Sequence, residues 1–225
     1  MKVLGPLIAA TLLLVPCEAW ASDDPQQWTT LAATVRLSDH WRASEELVIR
    51  FGEMRDGLYE VESNTLIGYR ITGKVTAWAG YTHDPQYDGG TFTIMEQRAR
   101  EQITFDDFVR LLGGTVSGRV RLEERWRDGV TDSACRLRPY VRYSRPLRAG
   151  SRTSLVFSHE SFVDLDTTSF QRVKGEERMR NLIGIATKLD RHTTAEFEYL
   201  NQHSFVRRGG DNDDHIASLV LSVTL

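Results

Sequence analysis

The residues with the most chemistry in them are arginines and glutamates that recur at alternate positions. From Val116 to Arg127 one alternate set reads Ser117, Arg119, Arg121, Glu123, Arg125 and Arg127, and the other reads Val116, Gly118, Val120, Leu122, Glu124 and Trp126. A guanidinium stays charged at any physiological pH and grips a carboxylate through two parallel hydrogen bonds, so such a row either binds anions or locks onto facing carboxylates. The same split recurs downstream. Arg136, Arg138, Tyr140 and Arg142 alternate with Cys135, Leu137, Pro139, Val141 and Tyr143. Arg178 and Arg180 oppose Met179, Ile183 and Ile185, and Glu196 and Glu198 oppose Ala195, Phe197 and Tyr199.

A second cluster, Ser158-His159-Glu160-Ser161, contains the residue types of a hydrolytic triad. Consecutive strand residues point to opposite faces, so His159 cannot turn toward Ser158 or Glu160 within one strand. A membrane hydrolase would pair Ser161 or Ser158 with a histidine from elsewhere. There is no Gly-x-Ser-x-Gly elbow, His-Glu-x-x-His zinc pair or Gly-rich phosphate loop. His40, His83, His192, His203 and His215 fall mostly at expected strand ends or loops and read as solvated imidazoles. Gly209–Asp214 is acidic but lacks the spacing of a calcium loop. No metal, cofactor or catalytic residue is therefore assigned.

The element that sorts these residues is a strand, because on a helix they would be scattered around the cylinder. Eleven strands are expected, at about 27–37, 42–55, 64–73, 75–84, 94–108, 114–127, 134–146, 151–163, 174–189, 193–204 and 213–225. Short turns follow the odd-numbered strands through the ninth. Longer polar loops follow the others, including 84–90, 163–173 and 205–212. That regularity predicts an all-β fold: a single antiparallel up-and-down transmembrane barrel of 10 to 12 strands with a charged lumen. The even strand number of single-chain bacterial barrels points to ten or twelve, with 90–112 or 164–189 hiding a further strand in the second case.

In such a barrel charge goes in and the apolar face goes out to lipid. The inward set then holds Arg50, Arg98, Arg100, Arg119, Arg121, Arg125, Arg136, Arg138, Arg142, Arg178 and Arg180, against Glu46, Glu96, Glu123, Glu160, Glu196 and Glu198. Eleven positive charges against six predict a cationic lumen. Trp28, Trp41, Tyr81, Phe105, Trp126, Tyr143 and Tyr199 sit where an interfacial aromatic girdle would place them.

Composition agrees with one folded domain. The 225 residues are 40% hydrophobic and 26% charged, with a mean hydropathy of −0.36, too polar for a bundle of membrane helices. A net charge of −3 gives no pull toward nucleic acid. Lys2, the apolar run Val3–Val15 and Ala19-Trp20-Ala21 predict an export signal cleaved after Ala21, leaving a barrel domain over 22–225. Pro16 before Cys17 fits a lipoprotein site poorly, and losing Cys17 leaves Cys135 without a disulfide partner.

Ser117-Gly-Arg-Val-Arg-Leu-Glu-Glu-Arg-Trp126, Arg136-Leu-Arg138, Ser158-His-Glu-Ser-Phe162, Glu177-Arg-Met-Arg-Asn-Leu-Ile-Gly184 and Glu198-Tyr-Leu-Asn-Gln202 together resemble a bacterial family of unknown function, DUF2490. Trp28, the Glu45-Glu46 to Arg50 stretch and Gly80-Tyr81 fit the same pattern. The resemblance implies an outer-membrane or outer-membrane-like barrel and supplies no catalytic residues. One departure is the terminal Leu225, where such barrels usually end in an aromatic residue.

The sequence thus predicts a non-enzymatic barrel of the outer membrane, with lipid, lipopolysaccharide and the barrel-insertion machinery as partners and a small anionic solute as its candidate cargo. An anion-preferring channel and a structural or envelope-interaction barrel plugged by salt bridges are the leading alternatives. A membrane hydrolase and a secreted soluble ligand-binding barrel are the others.

Overall fold

The computed structural model describes residues 24–206 and 210–225. The expected export signal, with Cys17, lies outside the described residues. Eleven strands form one closed barrel: β1 (Asp24–Arg36), β2 (Trp41–Gly52), β3 (Gly57–Arg70), β4 (Val75–Asp88), β5 (Thr91–Leu111), β6 (Gly114–Arg127), β7 (Ala134–Pro146), β8 (Thr153–Asp164), β9 (Gly175–Lys188), β10 (Thr193–Ser204) and β11 (Asn212–Thr224). A single 3-10 turn, Glu53–Arg55, is the only helical element among the described residues.

Sequential strands pair antiparallel, and the strand number is neither ten nor twelve. Neither long segment hides a further strand: Thr91–Leu111 is one ladder and Gly175–Lys188 another. With an odd number of strands in up-and-down order, the first and last must run the same way. β1 accordingly closes on β11 in parallel, from Asp24 opposite Asp214 to Thr34 opposite Thr224.

At one end lie the turns 37–40, 71–74, 112–113, 147–152 and 189–192, and at the other the connections 53–56, 89–90, 128–133, 165–174 and 205–211. The expected loop at 84–90 is instead strand as far as Asp88, and only Gly89-Gly90 turns the chain. Their φ angles of 53° and 72° are what a two-residue hairpin between right-twisted strands requires. Asp84-Pro85 mimics a turn signal but stays in the ladder, opposite Glu96 and Met95.

The pleat sends alternate residues to opposite sides, and the interior is the polar one. Among the described residues eight apolar ones are buried against twenty-one polar or charged ones. The apolar minority gathers at Trp28, Leu200 and Ile216, with Leu182 packed against them. Outside, Phe197 is 63% exposed and Val141 44%, in company with Phe157, Ile183, Ile185, Leu219 and Leu221. A soluble sheet packs the other way round.

The aromatic girdle needs one correction. Trp41, Tyr81, Trp126 and Tyr199 are exposed on the outer wall, but Trp28 points inward and is buried. Its indole N–H donates to Gln26 and to the Tyr59 hydroxyl, both at 2.9 Å. Trp28 stands at an even position of β1, in phase with Asp24 and Gln26, so the pleat turns it inward with them.

Candidate functional site

The lumen is organised around four carboxylate nodes. Glu96, on β5, accepts from Arg98 at 2.7 Å, from Arg125 through two bonds of 3.0 Å, and from Arg127 at 2.7 Å. Glu123, on β6, accepts from Arg136 and Arg138 at 2.7 Å each, with Arg121 at 3.5 Å. Glu160, on β8, takes both nitrogens of a second Arg138 fork, at 3.0 and 3.2 Å, and bonds Arg119 as well. The Glu60–Glu62 pair on β3 holds Arg50, and Glu62 also lies 3.3 Å from Arg98, which bonds Asp84. Among the described residues Arg100 has no carboxylate partner and bonds Asn64 and Thr82. Toward the turn end Arg142 meets Glu196 at 2.5 Å and Glu198 at 3.8 Å.

Strand parity explains the assembly. Every lumen residue expected from the alternation of β2 and β5–β10 faces inward, and register brings partners level: Glu123 opposes Arg136, and Tyr140 opposes Glu160. Phe162 fills the gaps between them, with the guanidinium of Arg138 4.2 Å from its ring centre and that of Arg180 4.6 Å away. Arg180 also lies 4.6 Å from the Trp28 ring, and it donates to Gln202 at 2.8 Å.

The charge count differs from the eleven-to-six expectation. Among the described residues the buried set holds seven arginines (50, 98, 100, 121, 125, 136, 138) and eight carboxylates (24, 62, 84, 96, 123, 160, 164, 198), while the inward-facing Arg119, Arg142, Arg178 and Arg180 and Glu46, Glu60 and Glu196 are partly buried. Sequence reading missed Glu60 and Glu62 because β3 begins seven residues earlier than the alternation suggested. It missed Asp84 because the Asp-Pro step read as loop. The signal that finds them is phase: all three continue the even-numbered inward rows that contain Asn64 and Thr82. Arginine in a closed lumen is tolerable only with such compensation.

Asn64, Thr82, Asp84, Glu96 and Glu123 have no exposed surface, so midway along β3–β6 the lumen wall is covered by packed polar side chains. Above it, at the end of the longer connections, a cavity of about 1110 Å³ opens between Tyr59, Arg127, Phe170, Arg178, Arg180 and Asp214, with Arg98 and Arg138 at its floor. Arg100, Glu123 and Arg142 do not line it. Of the hydrolase candidates, Ser158 and Glu160 point inward while His159 and Ser161 point outward. Glu60, Glu62 and Asp84 bring carboxylate oxygens within 4.8 Å of one another, and each is already in an ion pair with Arg50 or Arg98. Among the described residues Cys135 is a free thiol.

Apolar wall, polar interior and end-to-end closure define a β-barrel of the inside-out, charge-filled kind. The chain belongs to the family of proteins of unknown function DUF2490, whose pattern matches residues 25–213. An uncharacterized protein of Methylorubrum extorquens is 29% identical over 224 positions, covering 96% of each chain. An anion-selective porin from Comamonas acidovorans aligns with a TM-score of 0.41 and 10% identity over 81% of this chain. The chain spans about half the length of that porin, 53% of it.

Proposed function

We propose that this protein is an exported barrel of the outer membrane, matured by cleavage after Ala21, whose lumen is sealed by ion pairs and which presents a blind polar vestibule at one face. The observation that carries the reading is the contrast between walls: Phe197, Val141 and Leu221 lie open outside while Glu96, Glu123 and Asp84 have no contact with solvent inside. In water that outer band would be a large exposed apolar surface, whereas acyl chains cover it at no cost. Lipid and lipopolysaccharide are the partners this wall fits, and the insertion machinery is the one its assembly requires.

The sealed layer favours a structural or envelope-interaction barrel over an open pore. An anion-preferring channel is the second reading, favoured by Arg180, which faces the vestibule with Gln202 as its hydrogen-bond partner and, among the described residues, no carboxylate in ion-pair range. Planar bilayers separate the two. The sealed barrel gives no conductance above background, and steady anion-selective steps would establish the channel. A change in gel migration on boiling tests the detergent-resistant barrel itself.

A further inference from the structure

β8 and β9 place a different set of polar side chains on the outer wall. His159 and Ser161 are two residues apart, so they share a face, and Asn181 is the register partner of His159 on β9. The His159 Nδ1 lies 2.8 Å from Asn181 Oδ1, and its Nε2 lies 3.1 Å from Ser161 Oγ. With the amide oxygen accepting from Nδ1–H, Nε2 keeps its lone pair and accepts the Ser161 hydroxyl proton. Nucleophile, base and orienting group thus stand in series, the order that activates a serine.

Their height on the wall matters as much as their spacing. One step toward the turn end the outward side chains are Phe157 and Ile183, followed by Ile185, all exposed. At the triad's own level the outer face turns polar along β9–β11, while on the β7 side His159 opposes Val141 and across β9 Ser161 opposes Met179. Asn201 opposes Asn181 across β9–β10, and His215 opposes Asn201 across β10–β11. Asp213 accepts from Asn201 at 3.3 Å and lies 3.0 Å from His203, while the Tyr199 hydroxyl lies 2.6 Å from His215. The triad therefore sits where apolar wall gives way to polar rim. In a bilayer that is the level of the acyl esters, between chains and headgroups.

We infer that Ser161, His159 and Asn181 form a hydrolytic triad on the membrane-facing wall that cleaves acyl ester bonds of phospholipids. The inference goes beyond the sealed-barrel reading and rests on it for its substrate class. Ser161 Oγ attacks the ester carbonyl as its proton passes to His159 Nε2. The tetrahedral adduct collapses, the C–O bond to the glycerol oxygen breaks, and His159 returns the proton to that oxygen, releasing lysophospholipid. Water, deprotonated by His159, then attacks the acyl-serine and frees the fatty acid and the Ser161 hydroxyl. Asn181 is a positioning residue, holding the imidazole in the required tautomer. Phe157 and Ile183 supply the surface on which the acyl chain lies.

The test uses the full mature chain incorporated in phosphatidylethanolamine vesicles, with fatty-acid release followed by mass spectrometry, with and without calcium. A fluorophosphonate probe reports the nucleophile. The wild type releases fatty acid and carries the adduct on Ser161. Ser161→Ala and His159→Ala lower release by about a thousandfold or more. Asn181→Ala lowers kcat by about tenfold with KM unchanged, and Asn181→Asp restores much of it. Ser158→Ala, on the inward face, leaves release unchanged. Vesicle-incorporated, heat-modifiable wild type with neither release nor adduct overturns the inference, as does release that survives Ser161→Ala. Protein that fails to float with the vesicles overturns the membrane reading, and the lipid substrate with it.

Discussion

Glu160 and its two neighbours on β8 occupy opposite worlds. Glu160 points into the lumen, buried, with Arg138 and Arg119 bonded to it. His159 and Ser161 point away from the barrel, and His159 bonds Ser161 through one ring nitrogen and Asn181 through the other. One pleat therefore serves two purposes. Inside, charge is consumed in pairing and holds strands together; outside, polar groups keep lone pairs and protons available for a partner. The difference teaches that the charged residues most conspicuous in the sequence need not be the ones poised for chemistry.

That comparison can be broken from either side. The largest effect on stability belongs to the interior. Glu123→Ala strips Arg136 of its buried carboxylate acceptor and leaves Arg138 held by Glu160 alone, and stranding a buried charge costs about 3–5 kcal/mol. The temperature at which the unboiled gel form is lost falls accordingly, while fatty-acid release from protein that remains folded is unchanged. On the outer wall the expectation reverses. Ser161→Ala removes activity and moves the same melting temperature by no more than the equivalent of about 0.5 kcal/mol, as suits a half-exposed side chain outside the ion-pair network.

The smallest effect lies at the turn between β9 and β10, outside both faces. The backbone N–H groups of His192 and Thr193 donate to Asp190 at 2.7 and 2.8 Å and hold its carboxyl below the usual carboxylate value. A depressed carboxyl stabilises the fold above its unfolded pKa of about 4 and loses that contribution as pH falls through the lower folded value. Amide exchange at His192 and Thr193 therefore accelerates on acidification through that window, relative to the trend at other turns. In Asp190→Ala the exchange is fast throughout and shows no such step.

Much of this was legible in the chain. Period-two alternation locates all eleven strands and assigns the inward face of β6 through β10, because side-chain direction is fixed by parity alone. The expectation that Ser161 would need a histidine from elsewhere is corrected by the structure, since parity puts His159 and Ser161 on one side; Asn181 arrives by register with a strand more than twenty residues away. Trp28 misleads because its residue type suits an interface, whereas its phase turns it inward. The carboxylates of β3 and β4 are hidden for a related reason. Turn-forming residues such as Asp84-Pro85 carry a local signal, and the ladder with β5 overrides it. The parallel closure of β1 on β11 is a property of the whole ring and has no local mark.

The central claim, a barrel turned inside out for lipid, is tested most directly by single-tryptophan variants in vesicles whose acyl chains carry bromine as a quencher. A chain retaining only Trp126, exposed on the outer wall, loses its fluorescence to the brominated lipid, and one retaining only Trp28, buried in the lumen, keeps it. The opposite ranking, or no quenching of Trp126 at any bromine depth, contradicts the account.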